Sequence, residues 1–130
     1  MTSVSIEVAT ADVEKWLDFK KVRETKREKF AETVENLIEG FQDGLLTLDE
    51  ETGEITQHLQ FPANGIEKLV FKPRIDVGSV NLHLTKVKPG DSDGRVLAYV
   101  CALTGKLKAE IAKMDLEDYN VSGNIAVFFF

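Results

Sequence analysis

The spacing of apolar residues changes at Leu45, and this change limits the chain to folds that combine helices with a sheet. Upstream, apolar residues recur every three or four positions, as on one face of a helix. This stripe consists of Phe30, Val34, Leu37, Ile38 and Phe41. Downstream, apolar and polar residues alternate, as they do along a half-buried strand.

Two turns divide the alternating region into three short strands. Asp49–Gly53 places a glycine where a turn needs positive φ, and Asn64-Gly65 is typical of a two-residue hairpin turn. Four alternate residues are expected on one strand face: Ile55, Gln57, Leu59 and Phe61. Pro73 stops the last strand because it lacks a backbone N–H. The pattern predicts a three-stranded antiparallel meander over about residues 45–72.

The residues before the sheet, 10–43, are predicted to be helical. Thr10 is a candidate N-cap for a first helix, and the clearest helix spans about Thr25 to Phe41. Ahead of them, Met1–Ala9 alternates weakly, which fits either a strand or an arm.

The residues after the sheet, 76–130, are predicted to be helical as well. Asp76–Lys88 fits a helix capped by Asp76 or a strand, and we favour the helix. Ser92 or Asp93 can cap the next helix, and Gly105 suits its C-terminal end. The chain is therefore expected to form one mostly helical α+β domain spanning residues 1–130, with the meander between N-terminal and C-terminal helices.

Composition narrows the class of protein further. The chain has 130 residues, a net charge of −6 and one cysteine. The acidic balance argues against nucleic-acid binding, and a single cysteine excludes an internal disulfide framework. No secretory signal pattern is present, and no apolar run reaches the roughly 20 residues that span a bilayer. We expect a cytosolic protein that binds no membrane.

The residue types that carry chemistry do not form a recognisable catalytic or metal site. His58 and His83 have no Cys, Asp or Glu at ligand spacing beside them. Asp91–Gly94 fails as a calcium loop, because carboxylates are missing at the flanking ligand positions. Gly105-Lys106 lacks the rest of a phosphate loop, and nothing beside Cys101 would activate a thiol. We expect no enzymatic activity, no cofactor and no metal.

A basic segment precedes the clearest helix. Its six cations lie within ten residues: Lys20, Lys21, Arg23, Lys26, Arg27 and Lys29. Acidic residues are interleaved, so that Lys20 and Glu24 fall at helical spacing for an ion pair. A solvated helix face is the favoured interpretation. Contact with an acidic protein partner and contact with nucleic acid are the alternatives.

The chain ends with an apolar segment, Val127-Phe128-Phe129-Phe130. It follows a predicted helix that opens near Leu116 and is interrupted by Ser122-Gly123. Either these side chains anchor the last helix in the core or they form an exposed patch for self-association or a partner. The two interpretations are compatible.

The second half of the chain resembles the tail assembly chaperones of long-tailed bacteriophages. The resemblance covers roughly Gln57–Phe130. It rests on a strand that ends in a Lys-Pro-Arg element within Leu69–Ile75, a helix that ends in Leu103-Thr104-Gly105, and the turn Met114–Tyr119 into a last helix.

The resemblance implies a non-enzymatic role in viral morphogenesis. Such a chaperone is expected to bind the long, apolar tape measure protein in the host cytoplasm, keep it in solution and help recruit major tail-tube subunits. It is expected to be absent from the mature virion. We also expect self-association into a homo-oligomer. The alternative is a structural phage protein, such as a tail-completion or connector protein.

Two apolar surfaces are the candidates for partner binding. They are the stripe Phe30, Val34, Leu37, Ile38 and Phe41, and the terminal segment Val127, Phe128, Phe129 and Phe130. Holding an apolar helical client requires a groove between helices, which both surfaces are suited to border.

The resemblance also implies a longer product made by programmed ribosomal frameshifting. Three consecutive Phe codons necessarily contain runs of uridine, so we predict that Phe128–Phe130 marks or closely follows the slip site. The nucleotide sequence of the gene checks this prediction. A gene with neither a slippery heptamer near these codons nor an overlapping downstream frame would contradict it.

Overall fold

The order of elements confirms the predicted α+β class, with a three-stranded antiparallel sheet between two sets of helices. The computed structural model describes residues 3–63 and 65–130. Met1 and Thr2 of the predicted arm, and Asn64 of the predicted hairpin turn, lie outside the described residues.

Three helices precede the sheet, and four helices and a short 3-10 helix follow it within the described residues. The elements are α1 Ile6–Phe19, α2 Glu24–Lys29, α3 Ala31–Gln42, β1 Leu46–Leu48, β2 Ile55–Ala63, β3 Ile66–Phe71, α4 Val77–Leu84, α5 Ser92–Thr104, α6 Lys108–Ile111, α7 Leu116–Ala126 and the 3-10 helix η1 Val127–Phe129.

The first helix begins earlier than the sequence predicted. The N-cap is Ser5, whose hydroxyl accepts a hydrogen bond from the N–H of Val8, whereas Thr10 lies inside the helix. Residues 6–9 therefore belong to α1, and the interpretation of Met1–Ala9 as a strand or an arm is wrong for them. Helical spacing dominates because α1 buries a stripe on the core: Ala9, Val13, Trp16 and Leu17.

Two other predicted helix boundaries need correction. The helix expected over Thr25 to Phe41 is divided at Phe30, whose backbone leaves the helical region with φ −107° and ψ 32°. The N-cap of α5 is Asp91, rather than Ser92 or Asp93, since its carboxylate accepts the N–H of Gly94 at 3.0 Å.

Other predictions are confirmed. Asp76 caps α4 by accepting the N–H of Ser79 at 2.7 Å, and the same contact lowers the pKa of this carboxyl group. Gly105 ends α5 in the left-handed conformation with φ 71°, and Gly53 adopts φ 78° in the first turn of the meander.

A bulge in the sheet explains why one predicted core residue is exposed. His58 of β2 pairs with Lys68 of β3, whereas Ala63 pairs with Ile66, so β2 carries extra residues between these points. Ile55, Gln57 and Leu59 are buried as predicted. Phe61 lies beyond the start of the bulge, where the alternation is broken, and is 51% exposed.

A buried polar network holds this irregular part of β2 against α7. Asp118 is buried, and its two carboxylate oxygens accept the backbone N–H groups of Gln60 and Phe61, both at 2.9 Å. The Gln57 side chain donates to the main-chain oxygen of Asp118 at 2.7 Å and accepts from the hydroxyl of Ser122.

The predicted interruption of the last helix at Ser122-Gly123 is absent, since α7 continues through both residues.

Removing the Asp118 carboxylate should destabilise the fold. We expect Asp118→Ala to lower the free energy of unfolding by about 3 kcal/mol, because two backbone N–H groups lose a charged acceptor. Equilibrium urea unfolding measures the change. Asn120→Ala, at an exposed position of the same helix, is the control and should change stability by less than about 0.5 kcal/mol. An equally small effect at Asp118 would contradict this role.

Candidate protein-binding groove

The terminal phenylalanines begin in the core and end at the surface. Phe128 is 2% exposed and lies edge-on to Trp16 of α1 and to Phe30 at the α2–α3 junction, with both centroid distances 5.7 Å. Such aromatic pairs stabilise by about 0.5–1.5 kcal/mol beyond their buried area. Phe128 therefore joins the end of the chain to the N-terminal helices.

A lysine of the basic segment fixes the main chain at the same place. The ammonium group of Lys26 donates to the main-chain oxygens of Phe128 and Phe130, both at 3.0 Å. Carbonyl groups at the end of a helix lack intrahelical N–H donors, and Lys26 supplies donors to two of them. Burial is the main cause that lowers the pKa of Lys26, and repulsion from Lys29 adds to it.

Lys20 contacts the next phenylalanine. Its ammonium nitrogen lies 3.2 Å from the ring centroid of Phe129 and 5.9 Å from that of Trp16. Burial lowers the pKa of Lys20 to about 8, with smaller effects from the charges of Lys26 and Arg74. The site thus holds a partly dehydrated cation against two aromatic rings.

Arg95 of α5 contacts the last phenylalanine. The guanidinium carbon lies 4.5 Å from the ring centroid of Phe130 and 5.6 Å from that of Tyr99. The two rings pack with their centroids 4.9 Å apart. Phe130 nevertheless remains 37% exposed, so one side of its ring is available at the surface.

A surface groove runs between α4, α5 and these phenylalanines, and we call it the α4 groove. It consists of two adjoining cavities of about 490 and 350 Å³, which share Leu84 and Tyr99. Its apolar lining is Ile75, Val77, Val80, Leu84, Val87, Tyr99, Phe128, Phe129 and Phe130. Apolar side chains alternate in this lining with five charged residues, Lys20, Asp76, Lys88, Asp91 and Arg95. Such a mixed surface can take an amphipathic peptide or helix.

A second depression lies beside α6 and α7, and we call it the α7 hollow. A cavity of about 390 Å³ there is lined by Leu97, Met114, Leu116 and Tyr119, among others. Its charged lining residues are Asp91 and Asp93, whereas the α4 groove is lined by three cations, Lys20, Lys88 and Arg95, as well as by Asp76 and Asp91.

The nine residues predicted for partner binding divide by burial. Leu37, Phe41 and Phe128 are buried in the core. Five are half-buried: Phe30, Val34, Ile38, Val127 and Phe129. Phe130 is exposed. Phe128 thus anchors the terminal segment in the core, as one interpretation of the sequence predicted, while Phe130 lies at the surface.

The basic segment is only partly the solvated face that its sequence predicted, because Lys21, Arg23 and Lys29 are exposed whereas Lys20, Lys26 and Arg27 are half-buried. The expected ion pair between Lys20 and Glu24 is wrong, since α1 ends before Lys20 and α2 begins at Glu24. Arg27 instead donates to the carboxylate of Asp18 at 2.8 Å and to the main-chain oxygen of Val22 at 3.0 Å. With Lys26, these residues hold neighbouring elements together.

His58 and Cys101, which were considered for metal binding and catalysis, lie among ordinary packing and hydrogen-bonding neighbours. One ring nitrogen of His58 lies 3.3 Å from the hydroxyl oxygen of Thr47. Cys101 is buried in α5, and burial raises the pKa of its thiol. Across residues 3–63 and 65–130, no group of three or more His, Cys, Asp or Glu side chains could hold a metal ion. In the same residues, no helix is long and apolar enough to cross a membrane.

Sequence reasoning missed the residues that form the wall opposite the phenylalanines, chiefly Leu84, Val87 and Tyr99. Leu84 and Val87 lie in the Asp76–Lys88 segment, whose apolar positions fit one face of a helix. That helical spacing was the one sequence signal that could have indicated an apolar face there. Their place beside the chain terminus depends on long-range packing, which no local pattern encodes.

No protein-family model, curated protein or solved structure matches this chain.

The depressed pKa of Lys20 should make stability depend on pH. Between pH 8 and pH 10.5, the ordinary value for lysine, the unfolded chain binds more protons at this position than the folded chain. The contribution of Lys20 to the free energy of unfolding therefore rises with pH in that window. We expect any stability advantage of Lys20→Met over the wild type to be greatest below pH 8 and to decrease up to pH 10.5.

Urea unfolding of both proteins at several pH values between 7 and 10.5 measures this difference. The same substitution at exposed Lys113 controls for loss of a surface lysine. A difference between wild type and Lys20→Met that stays constant with pH would contradict the burial of the ammonium group.

Proposed function

We propose that this chain is a tail assembly chaperone of a long-tailed bacteriophage. It binds apolar helical segments of the tape measure protein and keeps them in solution until tail-tube subunits assemble around them. The observation that carries the proposal is the α4 groove, an apolar surface bordered by Phe129 and Phe130. The proposed role is binding, with no catalytic step and no cofactor.

The groove fits this role because the hydrophobic core is already buried without a bound partner. Phe71 of β3, Val100 of α5 and Phe128 are core residues, each at most 2% exposed. Leu84 and Phe130 add apolar surface beyond what that core requires. Apolar surface of this kind is common at sites that bind helices.

The dimensions of the groove suit weak, repeated binding along a long client. The eight-residue helix α4 is about 12 Å long, so one copy covers about two turns of a bound helix. Several copies are then needed to cover a long tape measure protein. This requirement agrees with the proposed homo-oligomer and with recruitment of tail-tube subunits to the coated client.

The proposal places the protein in the cytoplasm of the infected host, where the client is synthesised, and not in the finished virion. A structural tail-completion or connector protein would remain in purified virions. Mass spectrometry of virions therefore distinguishes the two functions, and the chaperone is expected to be absent.

Co-expression with the tape measure protein of the same phage tests the proposal. We expect the wild-type chain to bring the client into the soluble fraction as a complex. Leu84→Ser should reduce the yield of that complex several-fold, because it removes apolar contact from the centre of the groove.

Leu82→Ser is the matched control, since Leu82 is 73% exposed on the same helix and lies outside the groove lining. Circular dichroism of each variant verifies that it is folded. A client that stays insoluble beside a folded wild-type chain would contradict the proposal.

A further inference from the structure

The α4 groove is lined by more cationic than anionic side chains. Lys20, Lys88 and Arg95 line it, and neither of the two ion pairs in the described part of the chain includes them. Two of these cations lie against aromatic rings, Lys20 over Phe129 and Arg95 over Phe130. Two carboxylates, Asp76 and Asp91, also line the groove, so three cations against two anions leave its lining with an excess of one positive charge.

The two carboxylates in the groove lining are already engaged. Asp76 accepts the N–H of Ser79 at 2.7 Å, and Asp91 accepts the N–H of Gly94 at 3.0 Å. Both bonds stabilise the first turn of a helix, where negative charge is favourable. These carboxylates thus act as helix caps and form no ion pair with the three cations.

The cations and the apolar floor together define the occupant. Leu84 and Tyr99 form the centre of the floor, where both cavities meet. We infer that the α4 groove binds an amphipathic helix whose apolar stripe is bordered by Asp or Glu side chains, and that Lys20, Lys88 and Arg95 select those carboxylates. The inference rests on the proposed function, since it specifies the class of client segment that the chaperone takes.

The state of Lys20 agrees with such an occupant. Lys20 is half-buried, burial lowers its pKa to about 8, and the neighbouring charges that lower this pKa further, Lys26 and Arg74, are positive. A carboxylate delivered by a bound helix would supply the opposite charge that this site lacks. Charge complementarity of this type contributes more to partner selection than to total affinity.

Two peptides of identical apolar pattern provide the direct test. Both carry Leu at positions i, i+3, i+4 and i+7, and one has Glu at the bordering positions where the other has Lys. Fluorescence anisotropy with labelled peptides gives the two affinities. We expect the Glu peptide to bind at least about tenfold more tightly at low salt, with the ratio decreasing as salt is raised.

A charge-reversal variant tests whether the groove cations are responsible. Lys88→Glu combined with Arg95→Glu changes two exposed residues and should reverse the preference toward the Lys peptide. Lys108→Glu combined with Lys113→Glu makes the same change in net charge on exposed positions of another surface, and should keep the preference for Glu. Trp16, the one tryptophan, contacts Phe129 and supplies a second readout through its emission.

Equal affinity for the two peptides, or reversal by the control pair as well, would overturn the inference. If the Glu peptide fails to bind while co-expression still yields a soluble complex, the inference is overturned and the chaperone function stands. If the Glu peptide binds with the expected selectivity and the tape measure protein stays insoluble, the groove specificity is supported and the proposed client is wrong.

Discussion

The packing of Phe128 between Trp16 and Phe30 is the contact on which the rest of the arrangement depends. It brings the last residues of the chain onto helices formed by the first thirty. A contact between residues so far apart in sequence costs chain entropy, which is offset by the burial of Trp16 and Phe128 and by their packing with half-buried Phe30. Lys26 adds hydrogen bonds to the adjoining main chain. Phe129 and Phe130 are thereby placed at the edge of the α4 groove.

The same arrangement gives the basic segment a structural role. Lys20 lies against the ring of Phe129, and Lys26 donates to main-chain oxygens of the terminal segment. Arg95 of α5 lies against the ring of Phe130. An aromatic ring carries no net charge, so a cation held against it is not offset by a carboxylate as it would be in an ion pair. In the proposed function, anchoring the terminus and selecting the client would thus depend on neighbouring residues.

Local patterns were sufficient for most of the fold. The alternation after Leu45 and the turn glycines predicted the meander, and Asp76 correctly marked the start of α4. Patterns failed where tertiary contacts decide the outcome. Asp118 lies in a predicted turn, yet its carboxylate binds a bulged strand about sixty residues earlier. The groove was missed for the same reason, because its two walls are distant in sequence. Only the wall formed by the terminal phenylalanines contained residues that the sequence had suggested for partner binding.

Methyl NMR of the folded chain during titration with a tape measure segment tests the central claim most directly. The account predicts that the methyl signals of Leu84 and Val87, which line the α4 groove, shift, whereas the methyl signals of Leu82, on the same helix as Leu84, do not. Shifts confined to Leu97 and Leu116 would locate the client in the α7 hollow. That result would contradict the account of the terminal phenylalanines as the edge of the binding site.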